Sequence, residues 1–463
     1  MQPFELSIAE AARQIEQRAL SPVELVQSAL DRIAEVEDRL GAFVVVTADE
    51  ALEAARRAEQ EIRDGGHRGP LHGIPVGIKD LYDVAGLPTT SSSAVRSGHV
   101  ATEDSACVAR LRDAGAVVVG KTHTHEFAYG VLTPTTRNPW DTGRVPGGSS
   151  GGSGAAVAGG ECLMGMGTDT GGSIRIPASV CGTVGLKPTY GRVSRAGVTS
   201  LCWSLDHAGP LTRTVRDAAL TLQAIAGFDA RDPGSAKEPV PDFTAGLDAG
   251  VAGLVLGVPA NYFFDDVDPE VEAAVREAIG VLEARGARLR EVEIPYAEQM
   301  MAVEFGVLVP EASAYHQEML RESGDLYTDD VRVFLEAGET VLATQYIKAL
   351  RVRTLVQQAF RRAFEGIDAL VCPTLPAAAA AVGQQTFTFP GGTEKAVIDA
   401  WVGHSAPGNV TGLPALSVPC GFTSAGLPIG LQVIGRPFDE AGVLRVGQAY
   451  ESATDWGARR PPL

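Results

Sequence analysis

Long apolar runs are missing from this sequence: no stretch approaches ~18 consecutive apolar residues, the length a spanning helix needs. The opening MQPFELSIAEAARQIEQ has no apolar core followed by a small-residue cleavage site, so neither a membrane span nor a secretory leader is expected. Cysteine is sparse. Its six positions, Cys107, Cys162, Cys181, Cys202, Cys372 and Cys420, lie far apart without a CxxC pair. That excludes a disulfide framework and zinc-ligand spacing, and points to reduced, buried thiols in a cytoplasmic protein. Basic residues are outnumbered, 39 Lys and Arg against 57 Asp and Glu, for a net charge of −18. Such a chain offers no broad phosphate-binding face, so direct nucleic-acid binding and docking on an anionic membrane are not expected.

What is present describes a folded globular protein. Of 463 residues, 45% are hydrophobic and 21% charged. The first sixty residues read as helical. Ser7-x-x-Glu10 and Ser21-Pro22-x-Glu24 are capping boxes, and Gly41 stops the second run. A short strand, 43–46, precedes a third helix that ends at Gly65-Gly66. From there strands and helices alternate: strand 74–78, helix 104–113, strand 116–119, and later strand 254–259, a helix from Asp268-Pro269, and strand 289–294. Strand-like segments return at 369–372, 415–419 and 429–434, beyond a Pro- and Gly-rich connection at 228–252. This favours one α/β domain with a helical insertion near 296–366.

Three motifs suggest chemistry that their context does not support. Gly115-Ala-Val-Val-Val-Gly120-Lys121-Thr122 spells a phosphate loop, but its intervening residues are themselves the strand, and Gly115 reads as a helix cap. His123-Thr-His125 lacks a third metal ligand. Gly147-Gly-Ser149-Ser-Gly151 matches a nucleophile elbow, yet turn-formers rather than a strand precede it, and His207, His316 and His404 sit in no recognisable base context.

The unusual stretch is Gly147 to Ser173, where eleven of 27 residues are glycine and apolar segments interrupt the loops. Dense glycine between ordered elements implies close backbone approach and unusual φ angles. Ser149 and Ser173 lie in those loops. The N–H groups of Thr170, Gly171, Gly172 and Ser173 can converge on a negative oxygen at the start of a helix, as acyl transfer requires. A serine needs a base, and Lys79, at the end of an apolar strand, can serve if burial keeps it neutral. Asp169 and Arg175 are candidates to brace the loop, Ser150 and Thr168 to donate hydrogen bonds behind it. Phe127, Ala128, Tyr129 and Gly148 are candidates to line the substrate pocket.

IPVGIKDLYDVAGLPTT, KTHTHEFAYG, NPWD, PGGSSGGSGAAVAGG, GMGTDTGGSIRIPASVCGTVGLKPTYGRVSRAG and GLPALSVPCGF with GLPIGLQVIG together resemble the amidase signature family, over nearly the whole chain and most densely across 70–215. The resemblance implies a single α/β/α domain around a mixed sheet and a Ser-cisSer-Lys triad. Ser173 would be the nucleophile, Ser149 the bridging serine in a cis peptide, and Lys79 the base, with no cofactor or metal. The substrate would be a small amide, anilide, carbamate or urea. KPTYGRVSRAG also resembles the A subunit of a tRNA-dependent amidotransferase, a glutaminase partner of a tRNA-binding subunit. Against that, Ile176 stands where the amidotransferase pattern has Gln, and SAPGNVTGLPALSVPCGF is nearer the general amidases. Oligomeric state stays open, a homodimer included.

Overall fold

Runs of Val, Ile, Leu and Met between turn-forming residues supply most strands of this computed structural model, which describes residues 2–463. In chain order they are β1 (Phe43–Val46), β2 (Pro75–Lys79), β3 (Val117–Thr122), β4 (Met164–Asp169), β5 (Val184–Lys187), β6 (His207–Thr212), β7 (Val255–Pro259), β8 (Arg288–Val292), β9 (Ala369–Pro373), β10 (Thr386–Thr388), β11 (Glu394–Ala396), β12 (Ala415–Phe422) and β13 (Pro428–Gly435). Eleven of them form one sheet in the order β1-β3-β2-β4-β6-β5-β12-β13-β9-β7-β8, while β10 and β11 make a separate hairpin.

The sheet is mixed. β2 runs parallel to β3 and β4, and β7 runs parallel to β8 and β9. The other neighbours are antiparallel, including β12 with both β5 and β13. Every residue of β2, β4, β6 and β13 is buried, so helices must cover both faces of the central sheet. The result is a single α/β domain. Its last two strands lie mid-sheet, joining β1–β6 to β7–β9.

Local sequence explains the element ends that matter. Ser21 and Glu24 close a reciprocal capping box at 3.0 and 2.8 Å ahead of helix Pro22–Leu40, which ends on Gly41 at φ +58°. At Ser7 only half of the expected box forms: its hydroxyl accepts from Glu10 N at 3.1 Å. Gly115, at φ +84°, follows helix Ala106–Asp113, and Val117–Thr122 of the phosphate-loop look-alike is strand β3. Helix Gly151–Gly159 runs directly over the backbone leaving β3. A Cβ on Gly152 would stand 2.5 Å from the Ala42 carbonyl oxygen and 2.6 Å from His123 N, so only glycine fits there. Three helices, Met300–Ser323, Asp329–Glu339 and Ala343–Ala363, occupy the segment between β8 and β9.

Candidate active site

Parallel pairing of β2 with β4, Ile78 opposite Met166, brings the C-terminal ends of both strands to one edge. Lys79 ends β2, and Thr168 and Asp169 end β4. The helix opening at Gly151 delivers Ser149 and Ser150 to the same place. Lys79 is fully buried, and its Nζ lies 2.7 Å from Ser149 Oγ, 2.8 Å from Ser150 Oγ and 2.8 Å from Thr168 Oγ1. Among the described residues no carboxylate lies within ion-pair distance of it. Burial holds its pKa well below the ordinary lysine value, against the opposing pull of Asp169 and Asp206.

Lys121 is the instructive contrast. It too is fully buried, but its Nζ pairs with Asp80 at 2.9 Å and takes Pro88 O and Thr89 Oγ1 as further acceptors. One interior lysine therefore has a carboxylate partner and the other has only hydroxyls.

The Gly148–Ser149 peptide is cis. The Ser149 carbonyl accepts from His125 N at 3.0 Å and Thr133 Oγ1 at 3.1 Å, which fixes the turn in place. Ser150 N donates to the Ser173 carbonyl at 3.2 Å, tying the two serine loops together. Among the described residues, Ser173 Oγ has no hydrogen-bond partner, and no hydrogen bond links it to Ser149 Oγ.

Asp169 organises the second loop. Its carboxylate accepts from Gly172 N at 2.9 Å, Ile174 N at 3.1 Å, and Arg175 Nε and Nη2 at 3.0 and 2.9 Å. Asn409 Nδ2 adds contacts to its Oδ1 and carbonyl at 2.8 and 3.0 Å. Burial alone would push this carboxyl up. The Arg175 guanidinium and the converging donors overcome that and hold it below the usual range. Arg175 in turn donates to Asn409 Oδ1, the Ser405 carbonyl and Gln432 Oε1. Thr170 Oγ1 donates to Asp206 on the other flank at 2.7 Å.

These contacts revise the expected donor set. The Gly172 N–H is committed to Asp169, and a Cβ at this φ +121° position would stand 2.1 Å from Ser405 Oγ. Gly172 shapes the turn; the N–H groups of Thr170, Gly171 and Ser173 have no acceptor among the described residues. The expected pocket lining also changes. Ala128 and Tyr129 line the narrow cavity beside Ser173, of about 30 Å³, together with Gly171, Glu304 and Val402. Phe127 does not. Its ring packs on His316 and Tyr327, with centroids 4.5 and 5.4 Å away. Gly148 does not line the cavity either; a Cβ there would stand 2.7 Å from the Val131 carbonyl carbon and 2.8 Å from Leu132 N. A wider cleft of about 460 Å³ adjoins at Ala128 and Leu201 and reaches Thr168, Asp206 and Trp203.

The histidines weighed as bases are engaged elsewhere. His207 Nδ1 faces the Leu205 carbonyl, His316 the Tyr327 hydroxyl and His404 the Phe263 carbonyl. His123 contacts Ser92, and His125 contacts Asp330. Sequence reasoning missed Asp206, Glu304, Ser405, Asn409 and Gln432. For Gln432 the signal is a polar residue inside the apolar run of β13, and for Asn409 an amide inside a buried helix.

The family model described as Amidase matches residues 24–444. The chain belongs to the amidase signature family. Its relatives include an amidase of Pseudomonas putida, 55% identical over 99% of this chain and 98% of that one. The A subunit of the glutamyl-tRNA(Gln) amidotransferase of Myxococcus xanthus is 42% identical over the full length of both. Among solved structures, an inhibitor-bound chain reported with the evolutionary origins of an s-triazine catabolic enzyme superposes with a TM-score of 0.93. It is 33% identical and covers 96% of this amidase and 98% of its own chain. No helix among the described residues of the amidase is long and apolar enough to cross a membrane.

Proposed function

We propose that this amidase is a stand-alone hydrolase of small amides, anilides or related carbamates and ureas. In this reading Ser173 is the nucleophile, Ser149 the proton bridge and Lys79 the base. The observation that carries it is the Lys79 amine, interior, without a carboxylate, and 2.7 Å from the Ser149 hydroxyl.

The hydrogen-bond pattern supports one route for the protons. Ser150 Oγ donates to the Thr168 carbonyl at 3.1 Å, so it must accept from Lys79. A neutral amine has two N–H bonds, for Ser150 and Thr168, and its lone pair then faces the Ser149 O–H. As Ser173 Oγ attacks the carbonyl carbon, its proton passes to Ser149 Oγ, and the Ser149 proton passes to Lys79 Nζ. The Ser149–Ser173 hydrogen bond closes when substrate arrives, as such contacts commonly do. The new oxyanion takes the N–H groups of Thr170, Gly171 and Ser173. The C–N bond then breaks while the proton returns from Lys79 through Ser149 to the departing nitrogen. Water repeats the cycle on the acyl-Ser173 ester, and the acid leaves.

The base must be uncharged, which sets the pH profile. kcat/KM is expected to rise with pH through the depressed pKa of Lys79 and then level off, and Lys79→Arg is expected to abolish the profile along with the activity. Stability follows the same group. Between that lowered value and the ordinary 10.5, the unfolded chain binds one proton more than the native one, so stability rises with pH across that window. Urea titrations of wild type and Lys79→Met across this range check the sign.

The amidotransferase component is the second reading, favoured by full-length similarity at 42% identity, whereas the stand-alone reading has a relative at 55%. Purified alone, the chain is expected to hydrolyse members of an anilide, carbamate and aliphatic amide panel faster than glutamine. Glutaminase activity that emerged only with an added partner protein would reverse the assignment. We further propose that the three helices between 296 and 366 form a substrate-shaping cover, since Glu304, Phe305 and Leu308 of the first line the Ser173 cavity.

A further inference from the structure

Helix Met300–Ser323 carries two buried glutamates, seven residues apart, whose surroundings differ sharply. The Glu311 carboxylate accepts from Ser204 N and Oγ at 2.9 and 2.6 Å, Tyr346 OH at 2.8 Å and Cys202 Sγ at 3.1 Å. Glu304 is fully buried, yet neither of its oxygens has a hydrogen-bond partner among the described residues. It lines the Ser173 cavity, and a Cβ on Gly171 would stand 2.9 Å from its Oε1. The Tyr129 hydroxyl, on the same cavity wall, is equally without a partner. The rest of that wall is largely apolar, with Val131, Leu201, Phe305, Leu308, Ile398 and Val402.

Two unpaired polar groups on the wall of one largely apolar pocket cost stability and persist where something else satisfies them. From this placement we infer that Glu304, with Tyr129, is the specificity determinant for substrates whose acyl group carries a second neutral amide-type function, a primary carboxamide or urea end. This deepens the proposed function, on which it rests. A carboxylic acid and a primary carboxamide pair through two complementary hydrogen bonds, acid O–H to amide oxygen and amide N–H to acid carbonyl. Burial without a cation partner favours the acid form of Glu304. No cation lies within ion-pair distance among the described residues: the Arg175 charge is spent on Asp169, and Arg353 donates to the Val410 and Ser204 carbonyls. Burial raises the Glu304 pKa well above the ordinary value. The Arg353 and Arg175 charges oppose that rise, while those of Asp169 and Asp206 add to it.

The test compares succinamide, butyramide and β-alaninamide, which present a carboxamide, a methyl group and an ammonium at the far end. Each is assayed as substrate and as competitor of p-nitrophenyl acetate hydrolysis. Wild type is expected to prefer succinamide over butyramide by about tenfold or more, the size of a lost hydrogen-bonded pair. Glu304→Gln keeps a donor and an acceptor and is expected to retain that preference. Glu304→Leu is expected to erase it by lowering kcat/KM for succinamide about tenfold more than for butyramide, while its melting temperature holds or rises because an unsatisfied acid has been replaced by an apolar side chain. Equal losses on succinamide and butyramide, or no wild-type preference, overturn the assignment. So does a β-alaninamide preference abolished in Glu304→Gln, which would mark a cation site. Ser173→Ala is assayed in parallel: turnover surviving there defeats the nucleophile assignment and leaves the Glu304 ratios readable.

Discussion

Ser173→Ala is expected to lower amide turnover by on the order of 10⁵-fold while the thermal unfolding transition stays near that of wild type. The hydroxyl is at the mouth of a cavity and makes no hydrogen bond among the described residues, so its loss removes no structural contact. Lys79→Met is expected to be about as damaging to turnover, because groups that act as one relay fail together. Lys79→Arg tests something narrower. A guanidinium does not deprotonate in proteins, so a fixed interior cation replaces an amine that burial can keep neutral. Single-turnover kinetics with an activated ester separate these effects. Lys79 and Ser173 variants that still acylate at wild-type rates would remove the relay from consideration.

The second large effect concerns stability. Arg175→Met is expected to destabilise the fold by about 3–5 kcal/mol, because it strands the Asp169 carboxylate in the interior. The pair is fully buried at 2.9 Å, and its members also hold Gly172 N, Ile174 N, Ser405 O, Asn409 and Gln432. Adding Asp169→Asn in the same chain is expected to recover part of that loss, since the unpaired charge goes with it. Denaturant titration of the two single variants and the double variant measures the coupling. Activity is expected to be lost in all three, because the loop that presents Ser173 loses its anchor. If the single Arg175 variant matched wild type in stability, the clamp would be decorative.

Much of the architecture is legible from local pattern. β1, β2 and β3 are short apolar runs bounded by turn residues, as are β7, β9, β12 and β13, and the pattern places each within a few residues of its position. β4, Met-Gly-Met-Gly-Thr-Asp, reads only as an apolar run, because glycine weakens strand propensity even where close packing demands it. Gly165 of β4 sits under Ser153, where a Cβ would stand 2.9 Å from that side chain's Cβ. β6, His-Ala-Gly-Pro-Leu-Thr, goes unread, because its adjacent glycine and proline interrupt any strand pattern. Lys79, Ser149 and Ser173 can be named because their neighbours are unusual in sequence. Glu304 and Asn409 cannot: a glutamate in a helix is ordinary, and only tertiary packing turns it into an unpaired acid beside Gly171. Gly172 reads as one of the oxyanion donors because the glycine-rich loop hides the capping pattern by which Asp169, three residues earlier, takes its N–H.

The position of β12 and β13 has a consequence for biogenesis. As the chain leaves the ribosome, β1 to β6 and β7 to β9 emerge as two separate patches of sheet, with their shared middle still unsynthesised. Lys79 and Ser173 are made early, but Asn409 and Gln432, which hold Arg175 behind the Ser173 loop, are synthesised late. A nascent amidase therefore carries Lys79 and Ser173 through most of translation without the side chains that anchor the Asp169–Arg175 pair. The final hairpin is expected to complete the surroundings of the Ser173 loop only after the preceding strands have been made.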